Sequence, residues 1–369
     1  MRKLLLNIHL YIGLTAALVM MILGLTGTFL VFEPNIDHYL NAGMDHVQPG
    51  EIPISLDRLR DSLEQRFPGY LVTEIILPER PTSSTVFHLD SPALHKSKEL
   101  YVDQWTGKIL GLGSQRNRLT KKVRLLHTQL LGGVIGNEAV TWSTAGLAIL
   151  SVTGLVLWWP RKVLTIKRRS SLPRLNNDLH HSLGFWTSWT MLLFSATGLL
   201  IHASRTPDAD PFGATQTKTV AARSRVSISE ILSSAQRALP SGTLTRVDFS
   251  LDSSAPVSMT VRLPGDHTPL GRSSVKLDPS DGRVLQVSST RSAPVRFKIS
   301  KLWAREIHTG DIYGWPSRIL AALCSFALAL LALSGPTIWL NKKIAAQRGR
   351  RAFIERERER EALSLLHRS

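Results

Sequence analysis

The chain has 369 residues, a formal net charge of +17 at pH 7 and a single cysteine, Cys324. One cysteine supplies neither a disulfide framework nor a thiolate cluster, which excludes disulfide-stabilised folds, thiolate zinc sites and iron–sulfur centres. The mean hydropathy is close to zero, at +0.01, because very apolar blocks alternate with very polar ones. The chain is therefore expected to divide into membrane-spanning and water-exposed parts.

Four uncharged apolar runs are long enough to cross a bilayer, whose hydrocarbon core of about 30 Å needs roughly 20 helical residues. They lie at 10–32, 139–159, 182–201 and 319–340. The first run is longer than the apolar region of a signal peptide, and no small-residue cleavage site follows it, so we expect it to be retained. The sequence predicts four transmembrane helices.

Lysines and arginines mark one side of this membrane arrangement. They precede the first run, fill the short segment 161–179 and follow the fourth run. The positive-inside rule then predicts cytoplasmic termini, a cytoplasmic 161–179 loop, and external positions for the long connections 33–138 and 203–318. Because this topology and anionic membrane lipid account for much of the net charge, no nucleic-acid partner is expected.

Each long connection is predicted to fold as one amphipathic helix followed by four strands. The first contains a helix at 55–67 and strands at 71–77, 85–90, 99–102 and 108–112. The second contains a helix at 226–239 and strands at 245–251, 257–263, 274–277 and 283–287. An Asp-initiated turn, at 103–107 and 278–282, precedes the last strand of each. The same α+β plan is therefore predicted twice.

The membrane runs repeat as well. A gap-free alignment of the first and third runs matches three features, namely His9 with His180, Gly13 with Gly184, and Thr26-Gly27 with Thr197-Gly198. A second alignment relates the other two runs, matching His127 with His308, Gly154 with Gly335, and Trp158 with Trp339. A duplicated helix–external unit–helix arrangement accounts for the chain to about residue 341, and a charged, solvated helix is predicted for the tail.

Six of the twelve histidines lie at or beside the ends of the apolar runs, and the other six lie in polar contexts typical of surface side chains. An imidazole in or near a membrane is costly unless it has a partner, so the first six are functional candidates. They are His9, His127, His180, His181, His202 and His308.

Two pairs of these histidines occupy equivalent depths. His9 and His180 lie at the predicted cytoplasmic ends of their helices, with Gly13 and Gly184 one turn away. Two imidazoles at one depth, with glycines that leave room for a flat macrocycle, fit bis-histidine ligation of haem b. The competing explanation is that these histidines make polar contacts that fix the helix ends, whereas a tetrahedral zinc site would need more ligands.

The second pair, His127 and His308, lies at the predicted external ends of the other two helices, and two haems are therefore predicted. His181 and His202 are alternative ligands. His181 lacks the glycine one turn on, and His202 aligns with Val31 in the first repeat, yet it could replace His127 or His308. The usual covalent haem-attachment motif, Cys-x-x-Cys-His, is absent from the sequence.

These features together resemble the PepSY-associated transmembrane helix family, also called iron-regulated membrane proteins. The resemblance covers nearly the whole chain and is carried most specifically by four segments, at 9–13, 101–111, 154–162 and 179–184. It implies a membrane α-helical fold with four transmembrane helices and two periplasmic α+β PepSY-like domains, internally duplicated. The implied location is the inner (plasma) membrane of a bacterium.

The resemblance extends to FoxB-like di-haem reductases, which release iron from ferric siderophores. It implies that electrons pass from a quinone or flavoprotein donor through two b-type haems to a ferric siderophore in the periplasm. Reduction would release the metal because hard oxygen ligands hold Fe(III) better than Fe(II). The alternative implied function is a membrane-anchored regulatory protein whose PepSY domains bind a peptide or a protease. Membrane lipid is a further expected partner, and a homo-oligomer is compatible with the sequence.

The predicted segments of the chain are transmembrane helix 1 at 1–32, PepSY-like domain 1 at 33–126, a lead-in with transmembrane helix 2 at 127–160, the basic loop at 161–179, transmembrane helix 3 at 180–203, PepSY-like domain 2 at 204–304, a lead-in with transmembrane helix 4 at 305–340, and the charged tail at 341–369.

Overall fold

The computed structural model describes residues 1–113, 117–159, 171–203, 226–252, 255–268 and 270–366. Most of the predicted basic loop, the first part of the second predicted PepSY-like domain and His367 lie outside these ranges. The chain forms two compact units. The helical unit comprises Met1–Phe29, Leu125–Leu199 and Leu320–Ser369, and the sheet unit comprises Leu30–Arg124 and Leu200–Ile319.

The four predicted transmembrane helices are confirmed. Each is long and apolar enough to cross a membrane. They are α1 (Arg2–Leu30), α5 (Gly133–Trp158), α6 (Leu172–Ala203) and α10 (Trp315–Leu366). α10 continues from the apolar run into the charged tail as one helix of 52 residues.

Small side chains bring the membrane helices together. The buried cluster of the helical unit contains Ala16, Met20, Leu147, Met191 and Ala327. At Gly24 of α1 the approach to α10 is so close that an added Cβ would lie 2.6 Å from the backbone oxygen of Ser325. Without water between the helices, such close van der Waals contact is what stabilises them against one another.

Three further helical segments were not predicted. α2 (Glu33–Asp45) and α4 (Asn117–Gln129) lie before and after the first set of strands. A segment of short helical turns occupies 295–309, beginning with α8 (Val295–Phe297) and ending in α9 (Ala304–Thr309). The predicted lead-ins to the second and fourth membrane runs are therefore helical at the candidate histidines, His127 on α4 and His308 on α9.

The sheet unit contains the two predicted helices, α3 (Leu56–Arg66) and α7 (Ile228–Ala238), and eight strands. The strands are β1 (Leu71–Ile76), β2 (Thr85–Ser91), β3 (Lys96–Val102), β4 (Ile109–Leu112), β5 (Thr243–Asp248), β6 (Val257–Arg262), β7 (Ser273–Leu277) and β8 (Val284–Ser288). Every predicted strand is confirmed, with boundaries that differ by at most three residues.

The two sets of four strands are similar in detail. The registers of β1 and β5 both shift at a bulge in the same part of the strand, between Val72 and Glu74 and between Leu244 and Arg246. Both predicted turns close with a glycine at positive φ, Gly107 at 74° and Gly282 at 70°. A left-handed conformation favours glycine at such a position.

The two sets nevertheless form one sheet. The strand order is β4-β3-β2-β1-β5-β6-β7-β8, and β1 pairs antiparallel with β5. One hydrophobic core spans both halves, with Phe87, Ile231 and Met259 fully buried. The carboxylate of Asp57 on α3 also accepts a hydrogen bond from the backbone N–H of Ile228, at 2.9 Å, and so caps α7 of the other half. The prediction of two separate PepSY-like domains is therefore not confirmed.

Candidate functional site

His9 on α1 is held by two consecutive residues of α5. Its Nδ1 lies 2.9 Å from Oγ1 of Thr153. Its Cε1 would lie 3.3 Å from a Cβ added at Gly154. Oγ1 of Thr153 also lies 2.7 Å from the carbonyl oxygen of Ile149 in its own helix, which can accept the hydroxyl proton.

His180 on α6 is held in the same way by α10. Its Nδ1 lies 2.7 Å from Oγ of Ser334, and that hydroxyl donates to the carbonyl oxygen of Leu331 at 3.0 Å. A Cβ added at Gly335 would lie 3.6 Å from Cε1 of His180. Asn176, one turn earlier on α6, donates to the carbonyl oxygen of Ser334 at 3.2 Å and adds a second bond between the two helices.

A third histidine, on α4, is held in the same way by α1. His127 Nδ1 lies 2.8 Å from Oγ1 of Thr26, whose hydroxyl donates to the carbonyl oxygen of Ile22 at 2.6 Å. A Cβ added at Gly27 would lie 3.5 Å from Cε1 of His127. We call each arrangement a histidine cradle, meaning an imidazole bonded through Nδ1 to a buried hydroxyl and packed through Cε1 on the glycine that follows.

Each cradle gives the Nδ1 atom of its histidine a hydroxyl partner that can accept as well as donate. When the hydroxyl proton goes to the carbonyl oxygen of its own helix, the hydroxyl accepts from Nδ1–H, and Nε2 carries the lone pair. A histidine that donates through one nitrogen and presents the lone pair of the other is the usual arrangement of a metal-ligating imidazole.

The cradles lie at two levels of the helical unit. His9 and Thr26 are both on α1, and the helical rise separates them by about 25 Å. At the His9 level, His9, His180 and His181 are close enough for their charges to interact. His181 meets the His180 ring edge-on, with ring centres 6.2 Å apart. The structure therefore places His9 and His180 near each other at one level and His127 at the other.

The imidazoles pack on Gly154, Gly335 and Gly27. The role of Gly13 and Gly184 in leaving room for a macrocycle stays a prediction. A Cβ at Gly13 or Gly184 would meet only a leucine side chain, Leu150 or Leu331, at 3.9 Å. The two alignments contain a sequence signal for the cradles, because a serine or threonine directly precedes each glycine on which an imidazole packs. Sequence reasoning did not connect these hydroxyls to histidines on another helix.

His308 belongs to the sheet unit, where its helix α9 is anchored to the loop between β6 and β7. Glu306, only 8 % exposed, accepts a hydrogen bond from the backbone N–H of His267. Burial raises the pKa of the Glu306 carboxyl. The remaining alternative ligand, His202, is half-buried at the end of α6.

Within the described parts of the chain, no three His, Cys, Asp or Glu side chains converge as a metal-ion site. The cradles instead offer single imidazoles on separate helices, which is the ligand type that haem iron takes from a helical bundle.

The fold and the cradles define a membrane protein with four apolar helices and an antiparallel sheet unit. The family described as the PepSY-associated TM region matches residues 6–342, and the chain belongs to this family. No match was found among curated proteins.

Proposed function

We propose that this protein is a di-haem b electron-transfer protein of the bacterial inner membrane that reduces a ferric siderophore, or another ferric complex, in the periplasm. The observation that supports it best is the recurrence of the histidine cradle at two levels of the helical unit. An anchor for an extramembrane domain needs no oriented imidazoles within its helices, and polar side chains there are costly without a role.

The residues present fit the proposed cofactor. His9 and His180 would hold one haem, and their Nδ1 atoms are already engaged by Thr153 and Ser334, so that Nε2 is the available ligand atom. His127, with Nδ1 on Thr26, would be a ligand of the second haem, for which the sequence alignment pairs it with His308. Bound haem would supply one-electron transfer at each level, and the protein would supply the imidazole ligands, their orientation and an apolar surrounding.

The proposed orientation follows from the basic residues of the chain. Lys342 and Lys343 follow the apolar part of α10, and Arg2 and Lys3 begin α1. The positive-inside rule places these ends in the cytoplasm. Electrons would then enter at the His9 level from a quinone or flavoprotein and leave at the His127 level, on the side of the ferric substrate.

We expect the reduced protein to be oxidised by a ferric siderophore. Purified protein is reduced with dithionite without oxygen, freed of excess reductant, and mixed with a ferric hydroxamate in the presence of a ferrous-iron chelator. The reduced haem spectrum should be lost as the ferrous chelate forms. The gallium complex of the same siderophore is the matched control, because Ga(III) has the same charge and nearly the same size but accepts no electron under these conditions. Equal persistence of the reduced spectrum with both complexes would contradict the proposal.

The alternative function is a membrane-anchored regulatory protein that binds a peptide or a protease. It is favoured by the two edge strands of the sheet, β4 and β8, each of which has one neighbouring strand among the described residues. Leu285 and Val287 on β8 are 46 % and 42 % exposed, and an extended peptide can add to such an edge. This alternative predicts a purified protein without haem and a function that survives substitution of His9 and His180.

A further inference from the structure

We propose that Thr153, Ser334 and Thr26 are positioning residues that fix the tautomer and orientation of the haem-ligating histidines. The inference rests on the proposed di-haem function and adds a role for three hydroxyl groups that touch neither substrate nor iron. Each hydroxyl would hold Nδ1–H of its histidine, so that Nε2 is the nitrogen offered to the iron.

The direction of each hydrogen bond follows from the proposed ligation. With Nε2 on the iron, Nδ1 carries the proton, so the hydroxyl accepts from it. The single proton of each hydroxyl then has a backbone carbonyl of its own helix as acceptor, at 2.7 Å for Thr153, 3.0 Å for Ser334 and 2.6 Å for Thr26. Each cradle therefore satisfies both partners of the hydrogen bond when the histidine is a ligand.

A serine or threonine hydroxyl on a helix does not by itself indicate a positioning role, because such side chains in apolar helices commonly donate a hydrogen bond to a carbonyl of the preceding turn. Thr144 on α5 and Thr187 on α6 do so here, with Oγ1 2.7 Å from the carbonyl oxygens of Val140 and Leu183. The three positioning hydroxyls differ because each also meets Nδ1 of a histidine from another helix. All three are buried, at 6 % exposure for Thr153, 8 % for Ser334 and 7 % for Thr26.

The glycine after each hydroxyl lies against Cε1 of the same imidazole. At Gly154 a Cβ would lie 3.3 Å from His9 Cε1, which is closer than most real Cβ contacts, so alanine there would displace the ring. The same hydroxyl–glycine pair occurs on α1, α5 and α10, each time beneath an imidazole. Three occurrences on three helices point to a requirement of the histidine and not to chance packing.

An acceptor on Nδ1–H makes the imidazole more basic toward the metal and stabilises the ferric state. Removing such an outer partner typically costs about 10–100-fold in metal affinity. Replacing the hydroxyl with a methyl group of the same shape should therefore weaken haem binding by roughly 10-fold or more and move the midpoint potential of that haem to a more positive value.

The test compares three full-length variants with the wild type. Thr153→Val removes the acceptor from His9, Thr153→Ser keeps it, and Thr144→Val removes a hydroxyl from the same helix that holds no histidine. Haem occupancy and midpoint potentials are measured by redox titration. Of the three variants, only Thr153→Val is expected to lose haem from one site and to raise the midpoint potential of the haem that remains there. Thr153→Ser is expected to match the wild type in both measurements.

The outcomes separate the two proposals. A haem-containing wild type in which Thr153→Val behaves like Thr144→Val overturns the positioning role and leaves the di-haem function standing. A wild type without haem overturns both. A loss of haem that serine does not restore also overturns the positioning role, because the serine hydroxyl provides the same acceptor.

Discussion

Alanine at His180 is expected to remove about half of the bound haem. His180 is the α6 ligand in the proposed His9 level, and its Nδ1 is already engaged by Ser334 at 2.7 Å. Without His180 the proposed site would have a single protein ligand, whereas the haem at the His127 level would keep its own ligands. The measurement is haem content per chain after purification, with the reduced α-band recorded for the haem that remains.

The matched control is His181→Ala. His181 is the adjacent residue on α6 and meets the His180 ring edge-on, so its substitution removes an imidazole from the same place without removing the proposed ligand. It should retain both haems. If His181→Ala loses haem and His180→Ala does not, the assignment of the α6 ligand is wrong, and His181 takes its place.

Alanine at Gly24 is expected to destabilise the helical unit strongly. The added Cβ would lie 2.6 Å from the backbone oxygen of Ser325 and 2.7 Å from the backbone nitrogen of Ala329. Neither backbone atom can move aside without shifting α10, so α1 and α10 must separate. Overpacking of this kind typically costs about 1–3 kcal/mol. The measurement is the thermal unfolding midpoint in detergent, followed by circular dichroism.

Gly13→Ala provides the comparison on the same helix. Its Cβ would meet only Leu150 Cδ2, at an ordinary 3.9 Å, and its unfolding midpoint should stay close to that of the wild type. Because Thr26 and Gly27 directly follow the Gly24 contact, Gly24→Ala should also lose haem from the His127 level first. Equal midpoints for the two variants would show that α1 and α10 do not pack as described.

The secondary structure was largely predictable because local signals agree with the fold. Long uncharged runs predicted the membrane helices. Runs of alternating apolar and polar residues, together with an Asp-initiated turn, predicted the strands in both halves of the sheet. α2 was not predicted because its sequence, with Pro34 in the first turn and few apolar residues, carries no clear periodic pattern. α4 carries His127 within a strongly basic segment that was interpreted as a lead-in.

The joining of the two halves could not be predicted in the same way. Pairing of β1 with β5 and capping of α7 by Asp57 connect residues far apart in sequence, and neither strand carries a local signal for its partner. Internal repetition showed that the halves are similar, and similarity is equally compatible with two separate domains.

For the candidate site, the sequence identified the histidines but not the hydroxyl and glycine residues that hold them. A histidine at the end of an apolar run is visible in the sequence because it is costly there. Its hydrogen-bond partner lies on whichever helix packs beside it, and for His9 that partner is Thr153 of α5. The glycines on which the imidazoles pack, such as Gly154 under His9, depend in the same way on the neighbouring helix, whereas the space beside Gly13 and Gly184 stays a prediction.

The most direct test of the central claim is the number of haems in the purified wild-type chain. Pyridine haemochrome analysis combined with a protein assay gives haem per chain, and a dithionite-reduced spectrum identifies the haem type. The account predicts two non-covalently bound b-type haems per chain, with an α-band that appears on reduction. A chain purified from haem-replete cells with no reducible Soret or α-band signal would contradict it.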